Sequence, residues 1–363
     1  MATLIRPGPP KTGHAPIESV LELTHLRDID PNLFTNTRPL WHPPGARGIY
    51  GGAVIAQCLA AAQRTVAEDF TVHSMHCYFV LAGNSEIPII YYVERVRTGR
   101  SFATRTVQAR QRGGVIFTTT MSFTREGSAG NDRVEHSVTM PKVPGPVEEI
   151  PGHLFDADAR SPFESQRLDI LNNNDSDISV KRTRQWLRAR GKISAEGGHQ
   201  AHLSALAYMS DSYFIGTVAR VHKLWRFGAA DKNKSGLNEE LLRKLRDMDE
   251  DTLKRMQGMD EDVVAELKQM AANPDGHLTI GDTFNAKKRR EIGMMVSLDH
   301  TIYFHEPKAF KADEWMYTEM ETPWAGDGRG LVFQKIFTRE GKLIATCVQE
   351  GMVRLKQEAQ AKL

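Results

Sequence analysis

Three cysteines in 363 residues, Cys58, Cys77 and Cys347, are too few and too scattered for a disulfide framework or a C-x-x-C metal site. A reducing compartment is the expectation that follows. No run of apolar residues approaches the roughly 18 needed to cross a bilayer, so no membrane span is expected. The opening stretch, with Pro7, Pro9, Pro10 and Pro16, lacks the apolar centre of a secretory signal. An excess of either charge is also missing: 47 basic against 45 acidic side chains leave a net charge of +2. No global field therefore recruits nucleic acid or an anionic membrane, and any anionic partner must be met locally. Nor is there a G-x-S-x-G elbow, a G-x-x-x-x-G-K-[ST] loop, an H-E-x-x-H pair or a G-x-G-x-x-G turn. The common serine hydrolases, nucleotide binders and zinc proteases thus lack their working residues. What is present, 40% hydrophobic and 25% charged residues, is the composition of a folded protein large enough for two domains or one duplicated domain.

Patterning gives an α+β fold. Residues 1–40 are proline-rich and weakly patterned, as expected of an N-terminal arm. From Gly51-Gly52 the chain reads Ala53-Val54-Ile55-Ala56-Gln57-Cys58-Leu59-Ala60-Ala61-Ala62, apolar on nearly every side, which describes a helix buried all round. Four β-rich segments follow, at 72–81, 88–96, 101–111 and 115–124, parted by Gly83-Asn84, Thr98-Gly99 and Gly113-Gly114. A buried helix wrapped by a long antiparallel meander resembles the hotdog arrangement. The order then recurs: a helix over 199–214 and strands over 295–304, 314–321, 330–337 and 342–354. Tyr78-Phe79 answers Tyr303-Phe304, Arg100-Ser101-Phe102 answers Arg329-Gly330-Leu331, and Gly114-Val115-Ile116 answers Lys342-Leu343-Ile344. A duplication is expected, with repeats over 41–125 and 179–355 and a polar linker over 126–178.

Residues 226–291 break the second repeat. They hold 13 basic and 14 acidic side chains, with Phe227 and Phe284 as their aromatics, too little to form a core. A charged helical insertion is expected, with helical spacing over 239–246 and 249–270. Two stretches inside it, Asp231-Lys232-Asn233-Lys234-Ser235-Gly236 and Asn273-Pro274-Asp275-Gly276-His277-Leu278, resemble fragments of calcium loops. Leu242 stands where the first needs its bidentate Glu, and Ala271 where the second needs its first ligand, so polar turns are the better reading. The basic run Lys181, Arg182, Arg184, Arg188, Arg190 and Lys192 around Trp186 reads as an amphipathic strand with a solvated face, the alternative being a phosphate contact.

The stretch Tyr50-Gly51-Gly52-Ala53-Val54-Ile55-Ala56-Gln57, continued by His73-Ser74-Met75-His76-Cys77-Tyr78-Phe79 and Gly99-Arg100-Ser101-Phe102, resembles the first half of acyl-CoA thioesterase II. Ser297-Leu298-Asp299-His300-Thr301-Ile302-Tyr303-Phe304-His305, Gly328-Arg329-Gly330-Leu331 and Val348-Gln349-Glu350-Gly351 resemble its second half, most like the peroxisomal branch. The resemblance implies a double hotdog that hydrolyses fatty acyl-CoA to acid and coenzyme A, without metal or cofactor. It implies a water activated by an Asp on the second helix, a Thr or Ser opening the second meander and a Gln on the last strand. The matching positions are Asp211, Ser297 and Gln349.

That trio suits the chemistry. A thioester carbonyl is already electrophilic, so an oriented water, a proton acceptor and donors for the oxyanion suffice. Each residue also has a duller reading: Asp211 on the wet side of its helix, Gln349 a core amide, Ser297 a strand-start hydroxyl. Opposite Ser297 the first repeat has Val72, and opposite Gln349 it has Met121, or Thr120 if the alignment slips by one. Hydrolysis is therefore assigned to the second repeat. Substrate contact is expected at Gly51, Gly52, His73, His76 and Arg100. His73, His76, His300 and His305 recur at two equivalent strand starts, but no carboxylate or cysteine at ligand spacing accompanies them, so packing or substrate contact is preferred to metal. The tripeptide Ala361-Lys362-Leu363 varies the S-K-L address by one residue. It points to a peroxisomal import receptor and the peroxisomal matrix, with the cytoplasm as alternative. A homo-oligomer is expected from sheet-edge association. The rival functions are a hotdog enoyl-CoA hydratase and a non-catalytic acyl-CoA-binding protein.

Overall fold

The computed structural model describes residues 2–41, 48–147, 161–224, 247 and 290–357. The expected insertion, apart from Asp247 and its last two residues, lies outside them, as do both calcium-like stretches and Ala361, Lys362 and Leu363. Among the described residues no helix is long and apolar enough to cross a membrane.

Among the described residues all strand pairings are antiparallel and build one 13-stranded sheet. The first repeat contributes β1 (Leu23–His25), β2 (Leu33–Asn36), β3 (Phe70–Phe79), β4 (Ile90–Thr98), β5 (Phe102–Gln111) and β6 (Gly114–Arg125). The second contributes β7 (Phe163–Leu171), β8 (Arg182–Ala189), β9 (Ile292–Ser297), β10 (Asp299–Phe304), β11 (Met316–Gly326), β12 (Arg329–Thr338) and β13 (Leu343–Leu355). Their spatial order, β1-β2-β4-β5-β6-β3 joined to β10-β13-β12-β11-β8-β7, is the same run read from each end toward a central β3–β10 seam, with β9 beside β13. Each half wraps one helix, and the double hotdog expected from the sequence is the fold.

This symmetry corrects two boundaries. The supposed linker 126–178 contains β7, which pairs with β8 and is the counterpart of β1. The supposed arm 1–40 contains a short helix α1 (Pro16–Leu21), then β1 and β2, which join the sheet through β4. Strands of three and four residues are too short to show alternation, so the pattern alone missed them. β8 absorbs the basic run: Trp186 is buried, and Arg182 and Arg188 pair with Glu321 and Glu164 on the flanking strands.

The helices are nearly all core. Ten of the 13 residues of α2 (Gly51–Gln63) are buried, as are residues 203–210 of α3 (Gly198–Ser210). They run antiparallel: Gln63 reaches Gln200 and Ser204 at one end, while Gly52 meets Tyr208 at the other. A side chain at Gly52 would put its Cβ 2.2 Å from the Tyr208 carbonyl oxygen, so glycine is required there for the helices to touch. A shorter helix α4 (Gly216–Val221) follows and packs under β8, β11 and β12.

β5 shows how the sheet makes its half of the core. Ala103, Arg105, Val107, Ala109 and Gln111 alternate inward and are buried. Arg105 is 1% exposed, and its guanidinium donates to the Thr65 hydroxyl and carbonyl, to the Arg97 and Thr104 carbonyls and to the Thr98 hydroxyl. The buried charge is tolerated because all its hydrogens are matched.

Candidate active site

Asp211 is the C-cap of α3, where the last turn opens beside the first turn of α2. Its carboxylate accepts from the Gly52 amide and, at 2.8 Å, from Gln349 Nε2 on β13. The positive end of α2 therefore faces it. Burial outweighs these two stabilising bonds and pushes the Asp211 carboxyl up to about 6. Such a group is ionised at neutral pH yet remains a far better proton acceptor than an ordinary aspartate.

Gln349 is fully buried on the inner face of β13. Its Nε2 lies 3.0 Å from His300 Nδ1 as well as 2.8 Å from Asp211, and its Oε1 has no hydrogen-bond partner among the described residues. His300 Nε2 lies 3.0 Å from the Ser210 hydroxyl, which donates at 2.9 Å to the Ala207 carbonyl inside α3. Burial lowers the His300 imidazole to about 3, so the ring is neutral. The adjoining carboxylate Asp299 accepts the Glu350 amide at 2.6 Å and fixes the β13 backbone beside Gln349.

Ser297 closes β9 opposite Gly351, two positions beyond Gln349 on the same face of β13. It is partly exposed, and among the described residues no hydrogen bond joins it to Asp211 or Gln349. The structure thus brings Asp211 and Gln349 into direct contact and puts Ser297 on their face of the sheet. Gly51 and Gly52 are also at the site: a Cβ on Gly51 would come 2.8 Å from Asp211 Oδ2. The remaining substrate candidates are elsewhere. His76 is exposed on the outer face, against Thr301 and Tyr303. His73 packs edge-on against Phe102, and Arg100 is exposed in the turn before β5. Ser210 and His300 were not singled out as site residues by sequence; two cross-repeat strand starts with similar histidines gave no sign that one of them turns inward.

The first repeat supplies a control. Both halves carry the same one-residue irregularity, at His73 between Val72 and Ser74 and at Leu298 between β9 and β10. With that as the anchor, His300 corresponds to Met75 and Gln349 to Met121, both buried, and Ser297 to Val72. The helices have equal length, which makes Arg64, the C-cap of α2, the counterpart of Asp211. Arg64 donates to the Leu23 carbonyl. The positions equivalent to Asp211, His300 and Gln349 therefore hold Arg64, Met75 and Met121, and among the described residues the constellation is not repeated in the first half.

Residues 143–353 match the family description "Acyl-CoA thioesterase C-terminal domain", and residues 38–124 match "Acyl-CoA thioesterase N-terminal domain". The chain belongs to the acyl-CoA thioesterase II family. It is 33% identical to human acyl-coenzyme A thioesterase 8 over 96% of this chain and 93% of that protein. It is 26% identical to peroxisomal acyl-coenzyme A thioester hydrolase 1 of Saccharomyces cerevisiae, over 93% of this chain and 94% of the yeast protein. Among solved structures, an acyl-CoA thioesterase II from Mycobacterium marinum superposes with a TM-score of 0.61 at 26% identity, covering 95% of this chain and 99% of that one. The protein is thus a thioester hydrolase acting on acyl-CoA, in place of the hydratase or the silent binder left open by sequence. Among the described residues no cluster of three or more His, Cys, Asp or Glu side chains is placed to hold a metal ion.

Proposed function

We propose that this acyl-CoA thioesterase hydrolyses fatty acyl-CoA by direct attack of a water on the thioester carbonyl, with Asp211 as the proton acceptor and Gln349 and Ser297 orienting the water. The observation that carries the reading is the Asp211 carboxylate, desolvated and raised to about 6 while held by Gln349 Nε2 at 2.8 Å. A base poised near the working pH is ionised and still basic enough to take a proton in the transition state. Gln349 Oε1, unpaired among the described residues, is an acceptor for the water's second hydrogen. Ser297, on the same sheet face, supplies a hydroxyl that can donate to the water oxygen or the departing thiolate. The Gly51 amide, which opens α2 beside the carboxylate, is the donor available where negative charge grows on the carbonyl oxygen, the Gly52 N–H being held by Asp211. His73, His76 and Arg100 take no part in this reading.

The same proposal puts the enzyme in the peroxisomal matrix, supported by the yeast relative's name and by Ala361, Lys362 and Leu363, and makes it a homo-oligomer, supported by Tyr78 and Tyr303 standing exposed on the outer face of the sheet. Residues 356–363 fused to a fluorescent protein should enter peroxisomes and lose entry when Leu363 is changed to Ser; light scattering of the purified enzyme should give a mass above 40.7 kDa. The mechanism is tested by the pH profile of kcat/KM. It should fall below a pH near 6 with the slope of one proton, and a profile flat from pH 4.5 to 8 would exclude Asp211 as the acceptor.

A further inference from the structure

We infer that His300 is a positioning residue for hydrolysis: backed by Ser210, its imidazole dictates which way the Gln349 amide faces, and so which atoms Asp211 and the attacking water meet. The inference rests on the reading of Asp211 as proton acceptor.

Each assignment in the chain forces the next. The Ala207 carbonyl can only accept, so the Ser210 hydroxyl hydrogen is committed to it at 2.9 Å. The Ser210 oxygen must then accept at 3.0 Å from His300 Nε2, which therefore carries the hydrogen. In a neutral ring that leaves Nδ1 bare. The Gln349 atom 3.0 Å from Nδ1 must be a donor, so it is the amide nitrogen, and its second hydrogen goes to Asp211 Oδ1 at 2.8 Å. The amide oxygen is left as the unpaired acceptor. A helix carbonyl thus sets the orientation of a side chain on β13 through two intermediates.

The surroundings keep this direction. Phe214 meets the His300 ring edge to face at 5.4 Å. Across the seam stands Cys77, whose thiol burial pushes up to about 12, and α3 presents Tyr208 and Asp211. Beside His300 on β10, Asp299 accepts from the Glu350 amide, and Glu350 itself pairs with Arg329. Tyr50, before α2, donates to the Tyr208 carbonyl. A protonated His300 would point a hydrogen at Gln349 Nε2 and drive the amide to turn, setting Oε1 against the Asp211 carboxylate. Burial holds the ring neutral and prevents this.

Three variants test the inference alongside Asp211→Asn: His300→Leu, which removes the acceptor; His300→Asn, whose Oδ1 can take the place of Nδ1; and Ser210→Ala, which releases the tautomer. The readouts are kcat, KM and the acid limb of the pH profile, with thermal melting to confirm folding. His300→Leu should lower kcat about 100-fold. It should also move the acid limb upward by about one pH unit, because Asp211 loses a hydrogen bond that favours its charged form. His300→Asn should recover at least about tenfold of the loss and return the limb, and Ser210→Ala should shift both in the same direction by less. A merely structural role would lower melting temperature and active fraction equally in the Leu and Asn variants, with the limb unmoved. That result, or a folded His300→Leu enzyme with the kcat and limb of wild type, would overturn the inference. If His300→Leu does not fold, Ser210→Ala decides, an unchanged kcat and limb overturning it. Failure of the parent reading is distinct: Asp211→Asn would then turn over like wild type.

Discussion

Asp211 should make the enzyme less stable at the pH where it works. An unperturbed aspartate titrates near 3.8, and burial moves Asp211 to about 6 in the fold. The folded chain thus holds that proton more tightly than the unfolded chain does. Below the unfolded value the carboxyl is protonated in both states and costs nothing. As pH rises through the window between 3.8 and about 6 the penalty grows, and above it the ionised group costs a constant amount. The full displacement corresponds to about 3 kcal/mol, and partial contact with solvent reduces this to about 2–3 kcal/mol. Asp211→Asn removes the titration and keeps an oxygen for Gln349 Nε2, although its amide end meets the Gly52 N–H less well. The variant should therefore melt a few degrees above wild type at pH 7.5 and lose that advantage at pH 4. Differential scanning calorimetry across that range measures it. A melting difference that does not change with pH, or one that grows as pH falls, would refute the reasoning.

Other consequences are as direct. Gly52→Ala drives a methyl to 2.2 Å from the Tyr208 carbonyl oxygen, a backbone atom that cannot step aside; it should cost about 1–3 kcal/mol in urea denaturation and disturb α2 against α3. Gly51→Ala, 2.8 Å from both Asp211 Oδ2 and the Phe79 ring, should lower kcat, read by steady-state kinetics, together with a loss of melting temperature from the displaced ring. Arg105→Met strands carbonyls of Thr65 and Arg97 and should destabilise by about 3 kcal/mol without changing kcat of the folded fraction. Gln349→Leu should lower kcat by about 10²- to 10³-fold and raise the acid limb, because Asp211 loses a bond that favours its charge.

The long strands are legible where they alternate, as over the whole of β5, and the helices because small apolar residues cover every side of α2. β1 and β2 were too short to alternate, and β7 reads Phe163-Glu164-Ser165-Gln166-Arg167-Leu168-Asp169-Ile170-Leu171, with polar residues buried at Ser165, Gln166 and Arg167. Those boundaries needed the sheet. Asp211, Ser297 and Gln349 were named through the family resemblance, and the contact between Asp211 and Gln349 spans 138 positions that no local spacing encodes. His300 was visible only as one of four histidines. Its inward direction follows from the irregularity at Leu298, which resets the alternation between β9 and β10. The counterpart of Asp211 became readable only when the two helices proved equal in length, leaving Arg64 in its place.

The most direct test is release of coenzyme A thiol from short, medium and long acyl-CoA substrates by wild type and by Asp211→Asn. Wild type should turn over at least part of the panel, and the variant should fall by about 10²- to 10⁴-fold with substrate still bound, the usual cost of removing a general base. An Asp211→Asn enzyme that hydrolyses acyl-CoA at the wild-type rate would contradict the account at its centre.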